Sequence, residues 1–247
     1  MTKLILGILD CDDLSPELRG DYHCYTCMFK TLFTPIFETG DHSERTIEYR
    51  RYDVQKDVFP TELNECDAYL ITGSKTGVYD DKPWILNLKT FIQKAYAEAI
   101  KLVGLCFGHQ VLAEALGGKA EKSDKGWGVG AMTSQSVEQA RWMPEKLDEI
   151  CLLYSHQDQV THLPPKAKVL FSSEFCQFAA FYIPNTVLAF QGHPEFTIDY
   201  SHRLMFLRQE RYAEGQYQQA VKSLEQPLHS ELLGRWIINF IYDDIPL

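Results

Sequence analysis

Two short stretches hold residue types that can do acyl chemistry. The first is "KLVGLCFGHQ" (101–110), where an apolar run ends in Gly104-Leu105-Cys106-Phe107-Gly108 and a pattern of helical period follows. G-x-C-x-G has the mechanics of a nucleophile elbow: the nucleophile sits on a tight strand-to-helix turn that small flanking residues permit. That geometry would expose the sulfur at the carboxyl end of a sheet, where open α/β folds bind ligands. The helix N-terminus beneath it would favour negative charge on sulfur. The backbone N–H of Phe107 would face a developing oxyanion. A small buried cysteine would satisfy the same five residues.

The second stretch is "AFQGHPEF" (189–196). A cysteine nucleophile needs a base, and the base needs an orienting group. A strand running into Gln191-Gly192-His193-Pro194-Glu195 offers both. Pro194 disfavours regular pairing there, so an imidazole and a carboxylate stand two residues apart on an irregular turn. Glu195 can accept the His193 Nδ1–H and leave Nε2 for the Cys106 proton. On its own, His-Pro-Glu reads better as a loop histidine with an incidental carboxylate.

The elements that must position these residues follow from periodicity. "KLILGIL" (3–9) is a continuous apolar run, the pattern of a strand buried on both faces. Residues 11–23 are polar with Pro16 and Gly20, and read as a loop. Helix is expected over 24–33, strand over 45–54 and 67–72, helix over 84–100 behind Pro83, strand over 101–105, and helix over 109–116 stopped by Gly117-Gly118. This alternation predicts a doubly wound, mostly parallel α/β sheet flanked by helices. The second half reads as a smaller antiparallel β portion, with strands over 128–137, 151–156, 168–173, 176–183 and 186–193. Helix returns over 200–214 and 230–242. No linker divides the chain, so residues 1–247 read as one domain, with a motif-bearing core over about 3–210 and a C-terminal helical segment over about 215–247.

Bulk properties exclude several classes. The chain has 247 residues, 45% hydrophobic, with formal net charge −10, room for one substantial core. So acidic a chain is a poor binder of nucleic acid or anionic membrane through a general field. Seven cysteines without dense spacing point to a reducing, cytoplasmic setting. No segment reads as a signal peptide or a membrane span. Cys24-x-x-Cys27 lacks the second pair that a zinc site needs and reads as core packing on the first helix; no metal and no cofactor is expected.

Taken together, "GLCFGHQ" and the downstream "QGHPEF" resemble the class I (triad) glutamine amidotransferases, over about residues 3–210. The resemblance implies that Cys106 is the nucleophile, His193 the base and then acid, and Glu195 its orienter. It implies that Gln110 holds the amino-acid end of a glutamine or γ-glutamyl substrate. "ITGSKTG" (71–77) is similar to the family's Gly-rich oxyanion loop, which puts a donor amide at Gly73 or Ser74 beside that of Phe107. "YSHQDQV" (154–160) is similar to a family segment that binds the glutamine α-amino and α-carboxylate groups, which carries Ser155 and His156 over. "KGWGVG" (125–130) resembles a strand start near the active-site rim and reads as structural.

Family members usually feed ammonia to a synthetase, and this chain has neither a phosphate loop nor a dinucleotide fingerprint. Three readings follow: an amidotransferase with a separate synthetase subunit, a free-standing hydrolase of γ-glutamyl amides or peptides, or a catalytically quiet interaction subunit. The intact triad counts against the third. The loop over 11–23 should overhang the same edge as Cys106. It either shapes a pocket for a group on the γ-glutamyl nitrogen or is simply solvated. The apolar helix over 230–242 either caps the sheet or lies in a homo-oligomer contact.

Overall fold

The computed structural model describes residues 3–38, 42 and 44–243. The chain runs β1 (Lys3–Asp10), α1 (Pro16–Tyr22), α2 (Tyr25–Glu38), β2 (Thr46–Asp53), β3 (Ala68–Ile71), α3 (Pro83–Ala97), β4 (Lys101–Leu105) and α4 (Phe107–Ala115). It continues through β5 (Lys119–Lys122), β6 (Gly128–Ser136), β7 (Glu149–His156), β8 (Asp158–His162), β9 (Lys168–Ser172), β10 (Ala180–Ile183) and β11 (Val187–Phe190). It ends in α5 (Ile198–Arg208), α6 (Gln216–Ser223) and α7 (Ser230–Tyr242).

One nine-stranded sheet has the order β2-β1-β3-β4-β11-β10-β9-β6-β7. β2, β1, β3, β4 and β11 are mutually parallel, while β10, β9, β6 and β7 are each antiparallel to the neighbour before them. The expected antiparallel portion therefore extends the parallel sheet rather than forming a sheet of its own. Its β10–β11 hairpin turns at Asn185, whose φ of 65° is a left-handed conformation that asparagine tolerates. A separate ribbon pairs β5 with β8; neither strand is expected from periodicity, since each is a short, half-exposed run.

Side chains of the central strands alternate between two cores, as a pleated strand requires. On one face Leu70, Val103 and Leu188 pack with α1, α2, α5, α6 and α7. On the other Ile71, Leu102 and Ala189 pack with α3, α4 and the β5–β8 ribbon. Trp236, Ile237, Phe240 and Ile241 of α7 are fully buried within this chain, so α7 caps the sheet and its apolar face is spent inside the fold. Among the described residues no helix is long and apolar enough to cross a membrane.

Two expectations for the N-terminal region are corrected. Residues 16–22 form α1, not loop. Pro16 occupies the first helical turn, where its missing N–H costs nothing, and Leu14 and Leu18 are buried. Arg203 of α5 anchors α1 by donating to the Glu17 carbonyl (3.0 Å) and the Asp21 carboxylate (2.6 Å). Cys24 and Cys27 do not serve as core. Tyr25, Met28, Phe29, Phe33 and Ile36 fill that role on α2, and the two thiols lie half-buried, 2.7 Å apart.

Candidate active site

Parallel pairing puts the carboxyl ends of β1, β3, β4 and β11 on one edge, and the strand order puts β4 between β3 and β11. Cys106 leaves the end of β4, the Gly73 loop leaves β3, and His193 follows β11. Residues more than thirty positions apart thus become neighbours through topology alone.

Cys106 has φ 55° and ψ −101°, a strained conformation for a residue with a Cβ. The glycines around it explain why the turn closes. A Cβ on Gly104 would lie 2.5 Å from the Gly108 carbonyl, and one on Gly108 would land on the Ile71 carbonyl oxygen. The two glycines thus let β3, β4 and α4 approach backbone to backbone. Cys106 is only 6% exposed, more covered than an open elbow implies, yet it lines a cleft. The Phe107 ring packs in the core against Trp84, with centroids 5.5 Å apart. Only its backbone N–H bears on the site. Among the described residues the N–H groups of Phe107, Gly73 and Ser74 donate to no protein acceptor.

His193 and Glu195 side chains are 3% and 0% exposed, with Nδ1 2.7 Å from Glu195 Oε1. That contact assigns the proton on Nδ1 to Glu195 and turns Nε2 outward. The ring lies flat on Phe196 at 3.8 Å. Despite the proline, the His193 N–H pairs with the Leu153 carbonyl of β7 at 2.8 Å. Three constraints therefore hold one imidazole. Burial opposes its charge, but the Glu195 carboxylate and the nearby Cys106 sulfur outweigh burial and push its pKa up to about 10. Gly73 closes the group: a Cβ there would sit 3.0 Å from His193 Cε1 and 3.8 Å from Cys106 Cβ.

The cleft has a volume of about 290 Å³. Ser74, Cys106, Gln110, Ser155 and His156 line it, as do Trp127 and Asp158 from the segments over 125–130 and 154–160, and Tyr79, Arg208 and Arg211, which no motif contains. Gln110 is buried, and its Nε2 donates to the Gln191 side chain (3.0 Å) and the Asp158 carbonyl (2.8 Å). Ser155 Oγ accepts from Arg208 at 3.0 Å. His156 Nδ1 donates to the Asp158 carbonyl at 2.9 Å, which leaves the buried Nε2 without a protein partner as an acceptor. Burial pushes the His156 pKa down to about 4, so it is neutral near pH 7. The cleft therefore offers a nucleophile with an oriented base, free amides for an anion, and a polar wall with both donors and acceptors. Among the described residues no group of His, Cys, Asp and Glu could hold a metal ion.

Segment 11–23 does overhang this edge. With Tyr25, Tyr200 and Leu204 it lines a second cavity of about 410 Å³, which shares Lys75, Arg208 and Arg211 with the first. Those three cations come from the β3 loop and the end of α5. No local sequence pattern joins them to Cys106, and only their common position at the sheet edge marks them.

The family model for class-I glutamine amidotransferases matches residues 30–209. A glutamine amidotransferase-like protein of Schizosaccharomyces pombe is 32% identical, over 96% of this chain and 98% of that one. γ-Glutamyl peptidase 4 of Arabidopsis thaliana is 32% identical, over 76% of this chain and 72% of that one. A crystal structure of a glutamine amidotransferase from Thermotoga maritima superimposes with TM-score 0.73 at 18% identity, covering 97% of this chain and 98% of that chain; at that identity the likeness is one of fold.

Proposed function

The chain belongs to the class-I glutamine amidotransferase family, and from that premise we propose that it is a cysteine amidase which cleaves the side-chain amide of glutamine or of a γ-glutamyl compound. His193, charged near pH 7, already carries on Nε2 the proton taken from Cys106, whose Sγ attacks the amide carbon and forms the C–S bond. The carbonyl electron pair moves onto oxygen, which the Phe107 N–H and an amide of the Gly73-Ser74 pair receive. Collapse breaks the C–N bond, and His193 returns its proton to the departing nitrogen. Water, deprotonated by His193, then splits the γ-glutamyl thioester and frees Cys106. Glu195 keeps the imidazole in the tautomer this sequence needs. Gln110, Ser155 and His156 receive the amino-acid end of the γ-glutamyl group.

The observation that carries this reading is the buried 2.7 Å His193–Glu195 contact beside a cysteine strained at the end of β4. Similarity to a γ-glutamyl peptidase over most of both chains supports a free-standing peptidase. The same chemistry applied to glutamine would supply ammonia to a separate synthetase subunit. Steady-state hydrolysis by the purified chain separates the two, with glutamine and γ-glutamyl dipeptides as substrates. We expect dipeptide turnover that Cys106→Ser lowers by roughly 10³-fold or more. Turnover of glutamine alone, and only weak, would favour the synthetase partner; turnover that survives Cys106→Ser would end the proposal.

A further inference from the structure

The second cavity lies where an open α/β sheet changes the side on which its connections run. The chain after β1 covers one face with α1 and α2, whereas the chain after β3 covers the other with α3. β1 and β3 are adjacent, so a crevice must open between their carboxyl ends, and such crevices are where these sheets bind ligands. Here it is walled by Asp12 to Glu17 on the β1 side and by Lys75 on the β3 side. Tyr25, Tyr200, Leu204 and Leu207 give it apolar surface.

The two cavities divide a substrate. Cys106, Gln110, Ser155 and His156 line the first and not the second. A γ-glutamyl group that meets those four residues is accounted for in the first cavity. The cations that both cavities share stand at their junction, and one of them, Lys75, directly follows the Gly73-Ser74 amides. A group attached beyond the amide nitrogen therefore has the second cavity to enter, whereas glutamine, which carries nothing there, leaves it unused.

Charge at the junction is unbalanced, although the chain as a whole is strongly acidic. Asp12 is engaged twice by Lys75, through Nζ at 2.8 Å and the backbone N–H at 3.0 Å. Asp13 lies 3.8 Å from Arg19 and 3.7 Å from Arg51. The guanidiniums are not so matched. Among the described residues Arg208 donates only to the neutral Ser155 hydroxyl, and Arg211 has no ion pair or side-chain hydrogen bond. Two guanidiniums without a carboxylate, facing a cavity, suit a carboxylate of the ligand.

Resting on the amidase reading above, we propose that the second cavity is the leaving-group subsite and that Arg211, with Arg208, binds a carboxylate on the released amine. The substrates are then γ-glutamyl amino acids or peptides with a free carboxylate beyond the scissile bond. Bond changes are those of the acyl transfer: C–S forms, C–N breaks, the nitrogen takes the His193 proton, and the amine departs as an amino acid or peptide.

The test compares γ-glutamyl-alanine with γ-glutamyl-alaninamide, which differ only in that carboxylate. The full-length protein should show kcat/KM about 10–100-fold higher for the acid, the range of a charge-assisted hydrogen bond. Arg211→Ala should collapse this ratio toward one, and Arg211→Lys should keep part of it. Calorimetric binding of both ligands to Cys106→Ala reads the same preference without turnover, so a failed amidase reading and a failed subsite are told apart. Equal affinity and equal kcat/KM for acid and amide would overturn the proposal. So would an Arg211→Ala variant that slows both equally, or preference for a γ-glutamyl diamine with its opposite charge.

Discussion

At the scale of single residues, His193 is held by three separate contacts. Its ring is fixed by Glu195 at Nδ1, by Phe196 across its face and by β7 through its backbone. Its folded pKa lies above the unfolded value of about 6.5, near 10. The stabilisation this represents is fully present below about pH 6.5 and is lost as pH rises through about 10. Replacing the carboxylate removes the main cause of the raised value. We expect Glu195→Gln to lower kcat by roughly 10²–10⁴-fold through loss of the oriented tautomer. We also expect its urea midpoint to fall less than that of the natural protein between pH 7 and pH 10.5. An imidazole proton resonance that titrates at the same pH in both proteins would refute the assignment.

At the scale of elements, the G-x-C-x-G stretch matters less for flexibility than for closeness. Gly104 and Gly108 have ordinary negative φ, and the positive φ falls on Cys106 itself. What the glycines supply is contact without side chains between β3, β4 and α4. Because the Ile71 carbonyl cannot retreat from a central strand, Gly108→Ala should destabilise the fold by about 3 kcal/mol or more, above the usual cost of overpacking. Urea unfolding followed by circular dichroism would measure it, and a loss under about 1 kcal/mol would mean that α4 can shift. α1 teaches the converse. Its Pro and Gly read as breakers in isolation, but Pro16 stands where a helix begins, and Arg203 and the buried Leu18 hold the turn against α5.

At the scale of the whole molecule, the chain spends the apolar face of α7 inside itself. Trp236 is fully buried, stacks with Phe171 at 6.0 Å and donates to Glu145 at 2.8 Å. Trp236→Ala should therefore cost about 3–5 kcal/mol, seen as a lower urea midpoint with the same oligomeric state as the natural protein by light scattering. A change of oligomeric state with little change in stability would instead place α7 in an interface between copies.

What the sequence determined by itself was whatever depends on neighbours along the chain. Apolar periodicity located β4 and α7 to the residue and α3 to within three residues, because burial of a strand or a helix face is written locally. The elbow around Cys106 and the His193-Pro194-Glu195 turn were legible for the same reason, since each packs its chemistry into a few adjacent positions. The β5–β8 ribbon was not legible, because short half-exposed strands are defined by their partner rather than by their own pattern. Only the tertiary structure decided that Lys75, Arg208 and Arg211 meet beside Cys106 between two cavities. Those residues come from separate segments, and their juxtaposition is set by strand order and by which face each helix covers, quantities that no window of sequence contains.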